Sequence, residues 1–535
     1  MFVSPLGRTN ARVFAAFSAL SALLLPACGR SGLTSYRAAE DAAECLLDVD
    51  CVGWDDACAP SICLQTAPPG GGRARGRCVS LEPTSCDDGD PCTSEVCDSA
   101  TGACSYALAT LDNDGDGFRG PRPGFAPGEP GACGDDCDDT SGAAFPGGNE
   151  LCDGFDNDCN GVVDDGADFV PVGLERRISG GVDYAGAGGI AWSGDVYASV
   201  YWGSDGGFRT YLALLDAGGN QLNGVDEPLS LNSGDGAGGP VLWTGDRFGV
   251  AWQDRRTGDY ETYFTFLDGS GAKKHPDTQL SFAPGFSVNV TMTWTGTEFI
   301  AAWQDERQGT FDVFAQRLTA DAVPIASNVQ LTQAGVYPNE SPVLAKGQKT
   351  LGLTWAFGDA SVGAVEFRAY DLELNPASPE VVVSDGVTKA LYPTIVWNTD
   401  RYIMAWYDDE ATPRGIFGAA LDEAGTVLVP PTRLTDPGPL GRSRYPQLKP
   451  LGDRLLLLYA DDRDGNDGYE LYARSLTPDL APLTSETRIT FAARDSIYPV
   501  ATFGPEGTLG ILFRDDREGT PQVFFTSLAC TSFAP

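Results

Sequence analysis

The chain has a single histidine, His275, among 535 residues. One imidazole cannot supply a catalytic triad built on histidine or a multi-histidine metal centre. His275 sits in the polar run "KKHPD" and reads as a solvated loop residue. Basic residues are also scarce: 36 Lys and Arg against 74 Asp and Glu give a formal charge of −38. A surface of that sign repels nucleic acid and anionic membranes and favours cations. There is no G-x-S-x-G elbow and no G-x-x-x-x-G-K phosphate loop. No pair among the acids stands out as a glycosidase couple, so binding is expected before catalysis. Beyond residue 25 no run is long and apolar enough to span a bilayer. Helix-like apolar stripes are hard to find while glycine and proline abound, which points to strands and loops.

The first 27 residues are a targeting segment: Arg8 and Arg12, an apolar run from Val13 to Leu25, then "LPAC". This resembles a bacterial lipoprotein signal, with Pro26 a departure from its commonest pattern. The resemblance implies lipidation of Cys28 as the new N-terminus and, with Gly29 next, an outer-membrane or cell-surface address. Residues 28–44 read as a tether to that membrane.

Export changes the meaning of the cysteines. Cys45, Cys51, Cys58, Cys63, Cys78, Cys86, Cys92, Cys97, Cys104, Cys133, Cys137, Cys152 and Cys159 cluster together, while Cys530 stands alone. In an oxidising compartment such clustering means disulfides stapling loop-rich modules that lack a core. The pairing is open, as is the fate of Cys530. Residues 45–110 form a cysteine-rich stalk in which "CDDGDPCTSEVCDSATGAC" resembles the CTDC-type cysteine repeat, implying a spacer.

From about Ser179 a phrase built on "AWQD" recurs: Tyr201-Trp202, Ala251-Trp252, Ala302-Trp303, Thr354-Trp355, Ala405-Trp406, Leu458-Tyr459 and Leu512-Phe513. One copy, "PVLWTG", "DRFGVAWQD", "DYETYFTFLD", "TQLSFA", reads as four strands separated by Gly and Asp turns. Copies at this period mean an all-β, seven-bladed propeller of four-stranded blades over 168–535. Outer-strand segments of the "TRLTDP" type begin one copy early, at "RRISGG" around Arg176, and the last copy lacks its own. The N-terminal strand is therefore expected to complete the seventh blade and remove the open sheet edges. The phrasing "SRYPQL...RLLLLYADDRDGNDGYELYARSL...TRIT" resembles the TolB-type propeller repeat. That resemblance implies a fold, and leaves a scaffold role in an envelope protein complex open beside ligand binding or adhesion.

Within the repeats, W-x-D-x-R-x-G marks the turn after the second strand: Trp252, Asp254, Arg256, Gly258, with counterparts around Asp305, Asp461 and Asp515. A motif repeated round a ring reads as a structural tie, since a catalytic site is usually asymmetric. A polysaccharide-cleaving alternative would need acids that break the repeat, and Asp205, Asp359, Asp409 and Glu410 are such departures.

The acidic stretch at 111–167 stands out. Asp112, Asp114 and Asp116 alternate ahead of Gly117; Asp135, Asp136, Asp138 and Asp139 flank Cys137; Asp153, Asp156, Asp158, Asn160 and Asp164 follow. Carboxylates so crowded repel one another unless a cation sits among them. Pro123 or Ala167 would fall where an EF-hand needs its bidentate Glu, so the missing ligands must come from one set to another across disulfides. The stretch from 112 to 166 resembles the MopE-type metal-binding motif of bacterial surface and secreted proteins, whose name carries a copper association. Oxygen ligands favour calcium, and copper is the lesser expectation because the segment holds no histidine or methionine.

Overall fold

The computed structural model describes residues 44–45, 58, 61–66, 75–80, 85–108, 110–150, 155–161 and 167–532, apart from short breaks at 225–226, 231–234, 334–336, 359–362, 385–388, 409, 411–413, 437, 439–440, 453 and 466–467. The targeting segment, Cys28 and the tether as far as residue 43, Cys51, Cys152, Asp153, Asp164, Asp359 and Asp409 lie outside the described residues. The chain divides into two compact units, 1–108 and 109–535. No α-helix occurs among the described residues, and no helix there is long and apolar enough to cross a membrane.

In the first unit, Arg75–Ser80 pairs with Ser61–Thr66 on one side and Glu44–Cys45 on the other. The CTDC-like stretch is a hairpin of Thr93–Cys97 and Cys104–Leu108. Cys58–Cys97 and Cys86–Cys104 disulfides staple it, and Cys63, Cys78 and Cys92 are disulfide-bonded too. Val96, Tyr106 and Leu108 of the hairpin are exposed, so covalent links replace the core that so few apolar residues cannot build.

The second unit carries seven antiparallel four-stranded blades; in six the strands run in chain order, the first strand of blade 2 being split into Gly236–Ala237 and Val241–Trp243, while the seventh takes its fourth strand from the N-terminal side of the ring. Blade 3 is typical: Ser287–Trp294, Glu298–Asp305, Asp312–Thr319 and Pro324–Gln330. First strands of successive blades touch all the way round, the seventh against the first, so they line a central channel. Seven apolar layers hold the ring, one between each pair of blades, such as the layer joining Tyr197 and Tyr211 of blade 1 to Leu512 and Phe525 of blade 7. A four-stranded sheet with both faces apolar has no other way to bury them.

Three of the layers are keyed by an aromatic ring lying on a glycine of the preceding blade: Tyr197 on Gly510, Phe299 on Gly249 and Tyr402 on Gly352. A methyl group at Gly510 would come within 2.9 Å of the Tyr197 ring, and one at Gly249 within 2.4 Å of Phe299. The ring closes as the "RRISGG" strand foretells: Ala167–Arg177 pairs with Gln522–Ser532, from Phe524 opposite Arg177 to Ser532 opposite Ala167. Cys530, on that last strand, is disulfide-bonded.

One register differs from the sequence reading. Tyr201, not Trp202, takes the buried place of Trp252: it is 0% exposed and stacks on Tyr211 as Trp252 does on Tyr263. Side chains alternate along a strand, so this slip of one residue turns Trp202 to the opposite face.

Candidate functional site

In the acidic module, Asp112 accepts the N–H of Gly115 (2.7 Å) and of Gly117 (3.1 Å), winding the loop on itself. Asp114 Oδ1 accepts from Asp116 N (3.2 Å) and Asp116 Oδ1 from Phe118 N (2.8 Å). Carboxylate oxygens of Asp112, Asp114 and Asp116 come within 4.8 Å of one another. Asp136 joins them. It is 0% exposed, and its Oδ1 accepts the N–H of Asp138 (2.8 Å). Its Oδ2, like the Oδ2 atoms of Asp114 and Asp116, is buried with no hydrogen-bond partner. Burial, followed by the nearby charges of Asp116, Asp114 and Asp139, raises its carboxyl above the usual range. Asp139 closes the group by accepting the N–H of Asn113 at 2.9 Å.

The second group is Glu150, Asp156 and Asp158, again within 4.8 Å. Glu150 is 4% exposed and accepts the N–H of Asp158 at 2.8 Å, while Asp156 accepts from Asn160 and Gly161. The Cys137–Cys159 disulfide ties the stretch holding Asp136 to this loop, and Phe118 stacks on Phe145 at 5.3 Å.

The three acidic sets of the sequence thus become two groups. The middle set makes none of its own. Asp136 and Asp139 turn to the first loop, Asp138 binds the Thr140 hydroxyl at 2.6 Å, and Asp135 is exposed and belongs to neither. Side chains of adjacent residues point apart, so the two Asp pairs flanking Cys137 do not share one centre. Glu150 was missed because nothing near it alternates; the eight residues to its partner Asp158 conceal the contact.

In the propeller, Asp305 shows what the recurrent Asp and Arg do. It is 1% exposed and accepts hydrogen bonds from Arg307 Nε (2.7 Å), Trp303 Nε1 (2.8 Å) and Ser287 Oγ (2.9 Å). Arg307 then stacks on Phe314 at 4.0 Å. The Asp–Arg pair recurs at Asp254, Asp461 and Asp515, and Ser443 and Ser496 of the inner strands donate to the last two as Ser287 does to Asp305. Of the departures, Asp205 pairs with Arg209 at 3.3 Å, and Glu410 donates its N–H to Asp408 at 2.9 Å. His275 rests on Phe266 at 5.3 Å.

The asymmetric feature lies where the inner strands begin. There a cavity of about 490 Å³ is lined by Tyr184, Trp202, Tyr392, Tyr445, Tyr498, Gln447 and Arg514, among others. A β-bulge in the inner strands of blades 1 and 3 to 7 sets two residues opposite the buried aromatic of the second strand. In blades 3 to 7 the first of the two has positive φ: Asn289, Ser341, Tyr392 (50°), Tyr445 (56°) and Tyr498 (55°). Such bulges re-aim a side chain, and a left-handed bulky residue costs roughly 1–3 kcal/mol. The sequence signal, unread at first, is the Tyr-Pro pair at the same point of three successive blades.

A family described as a "putative metal-binding motif", of MopE type and with copper binding in its name, matches residues 136–165. No curated protein matches the chain. Solved structures that resemble it include an endo-arabinase from Bacteroides thetaiotaomicron, 11% identical over 46% of this chain and 94% of that one, with a TM-score of 0.32. A protein of unknown function from Dyadobacter fermentans is 11% identical over 69% and 100%, with a TM-score of 0.41. The propeller domain of the trilobed protease from Pyrococcus furiosus is 7% identical over 64% and 95%, with a TM-score of 0.40. Likeness at this level carries no argument about activity. Nor do the module's donors fit copper. Cys133, Cys137 and Cys159 are in disulfides, so the grouping of Asp136 with Cys137 and Cys159 offers no thiolate, and what remains is oxygen.

Proposed function

We propose that this protein is an exported, lipid-anchored binding protein in which calcium holds the acidic module and the propeller takes up a ligand or partner. The observation that carries the calcium half is Asp136. A fully buried carboxylate with a partnerless oxygen, set among Asp114, Asp116 and Asp139, is costly alone and stable around a hard cation. The lipid anchor rests on the "LPAC" segment at Cys28, and the disulfides suit the oxidising compartment that such an anchor implies. The binding role rests on the asymmetric mouth of a ring whose repeated acids are engaged in structural ties. Calorimetric titration of calcium, and separately of copper, into the chelator-stripped chain tests the first half. Saturable calcium uptake with a rise in melting temperature is expected; copper uptake tighter than calcium would contradict it.

A further inference from the structure

The channel mouth has a chemical character more specific than a generic cleft. Its rings come from two sides. Tyr445 and Tyr498 lie 4.1 Å apart, with Tyr392 edge-on to Tyr445 at 5.6 Å; across from them Tyr184 and Trp202 lie 5.2 Å apart. Tyr392 is 45% exposed although it occupies a strained position, so that strain is not offset by its own burial.

The same sector lacks groups that the neighbouring blades possess. In blades 2 and 3, Gln253 and Gln304 follow the buried aromatic and accept the bulge N–H of the next blade, at Asn289 (2.7 Å) and Ser341 (2.9 Å). The residues at that place facing Tyr392 and Tyr498 are Ala356 and Ala460, which have no acceptor. Facing Tyr445 is Tyr407, whose ring is stacked on Tyr392 at 5.6 Å. Trp202 and Arg514 occupy the same place in blades 1 and 7. The sector therefore presents aromatic faces, phenol hydroxyls and peptide donors together, within a volume typical of small-molecule sites, about 300–1,000 Å³.

Charge selects among ligands. Arg514, the one ionised side chain among the described residues lining the cavity, is held by Asp516 at 3.0 and 3.1 Å and stands 5.8 Å over Tyr184. A cation on these rings would meet that guanidinium. A polyanion would meet an ion-paired arginine on a chain of charge −38. What remains is a neutral molecule with an apolar face for the rings and hydroxyl groups for the rim. We propose that the channel mouth formed by Trp202, Tyr392, Tyr445 and Tyr498 binds a neutral carbohydrate, its C–H faces stacked on the rings and its hydroxyls bonded to the phenols, Gln447 and the bulge N–H groups. This rests on reading the propeller as the binding half of the protein.

The test is calorimetric titration of the calcium-loaded chain with cellohexaose, maltohexaose, xylohexaose, arabinohexaose and laminarihexaose, with tetramethylammonium and polygalacturonate as charged probes. Saturable binding of at least one neutral hexasaccharide is expected, at least tenfold weaker in Trp202→Ala and Tyr392→Gly. Glycine suits the left-handed position, so Tyr392→Gly should melt no lower than the native chain while losing affinity. Ala356→Gln, which restores the amide of blades 2 and 3, should also weaken binding with the rings intact. Variant-sensitive binding of a charged probe without any neutral sugar would overturn the carbohydrate assignment and leave the binding role standing. Silence from all three classes of probe would overturn both.

Discussion

Glu175, on the N-terminal strand that completes the seventh blade, accepts a hydrogen bond from Arg517 of that blade, 342 residues away. Arg517 also grips Asp515 of its own blade, so the tie that recurs within blades is here extended to the strand that closes the ring. Glu175→Gln should cost about 1–2 kcal/mol in urea unfolding. Removing 167–178 should do far more, leaving an unpaired edge and oligomers in size-exclusion chromatography.

Asp305→Asn should destabilise the propeller by about 3 kcal/mol, because Arg307 then loses its buried partner. Burial pushes the Asp305 carboxyl up, but its bonds to Arg307 and Trp303 outweigh this and the net shift is downward. A carboxylate held low contributes stability above its ordinary value of 3.8 and loses it as pH falls through the folded value. The gap between native and variant should therefore narrow in acid, as melting curves from pH 7 to pH 2 would show.

Glu366 in blade 4 behaves in the opposite sense. It is 7% exposed, and burial, then the charge of Glu380, pushes its carboxyl up from 4.5 to about 7. Its contribution is present below pH 4.5 and lost as pH rises through about 7. Glu366→Gln should stabilise the chain at pH 8 by at most about 3 kcal/mol and make no difference near pH 4.

Much of this architecture was legible because the repeat writes it seven times: the blades, the closing "RRISGG" strand and the structural Asp–Arg tie all follow from pattern. What pattern hid was departure from pattern. Trp202 passes for another buried tryptophan until the pairing of Tyr201 with Tyr211 fixes the register. Tyr392, Tyr445 and Tyr498 look like ordinary strand aromatics, and only the bulges show where they point. In the acidic module, spacing identified the first loop but not Asp136 as its partner, since that contact depends on folding across the chain. Glu150 lay outside every run of aspartates for the same reason.

Cys137→Ser with Cys159→Ser should weaken cation uptake by the module, because the bridge joins the Asp136 stretch to the Asp156–Asn160 loop. The propeller, whose seven layers contain neither residue, should melt as before. Separate module and propeller transitions in differential scanning calorimetry would show this.

The most direct test compares Asp136→Asn with Asp135→Asn in calcium calorimetry. Asp136 is buried against the first loop, while its neighbour is exposed and outside both groups. The account predicts at least a tenfold loss of calcium affinity in the first variant and native affinity in the second. Equal affinities in both, or no saturable calcium binding in the native chain, would contradict it.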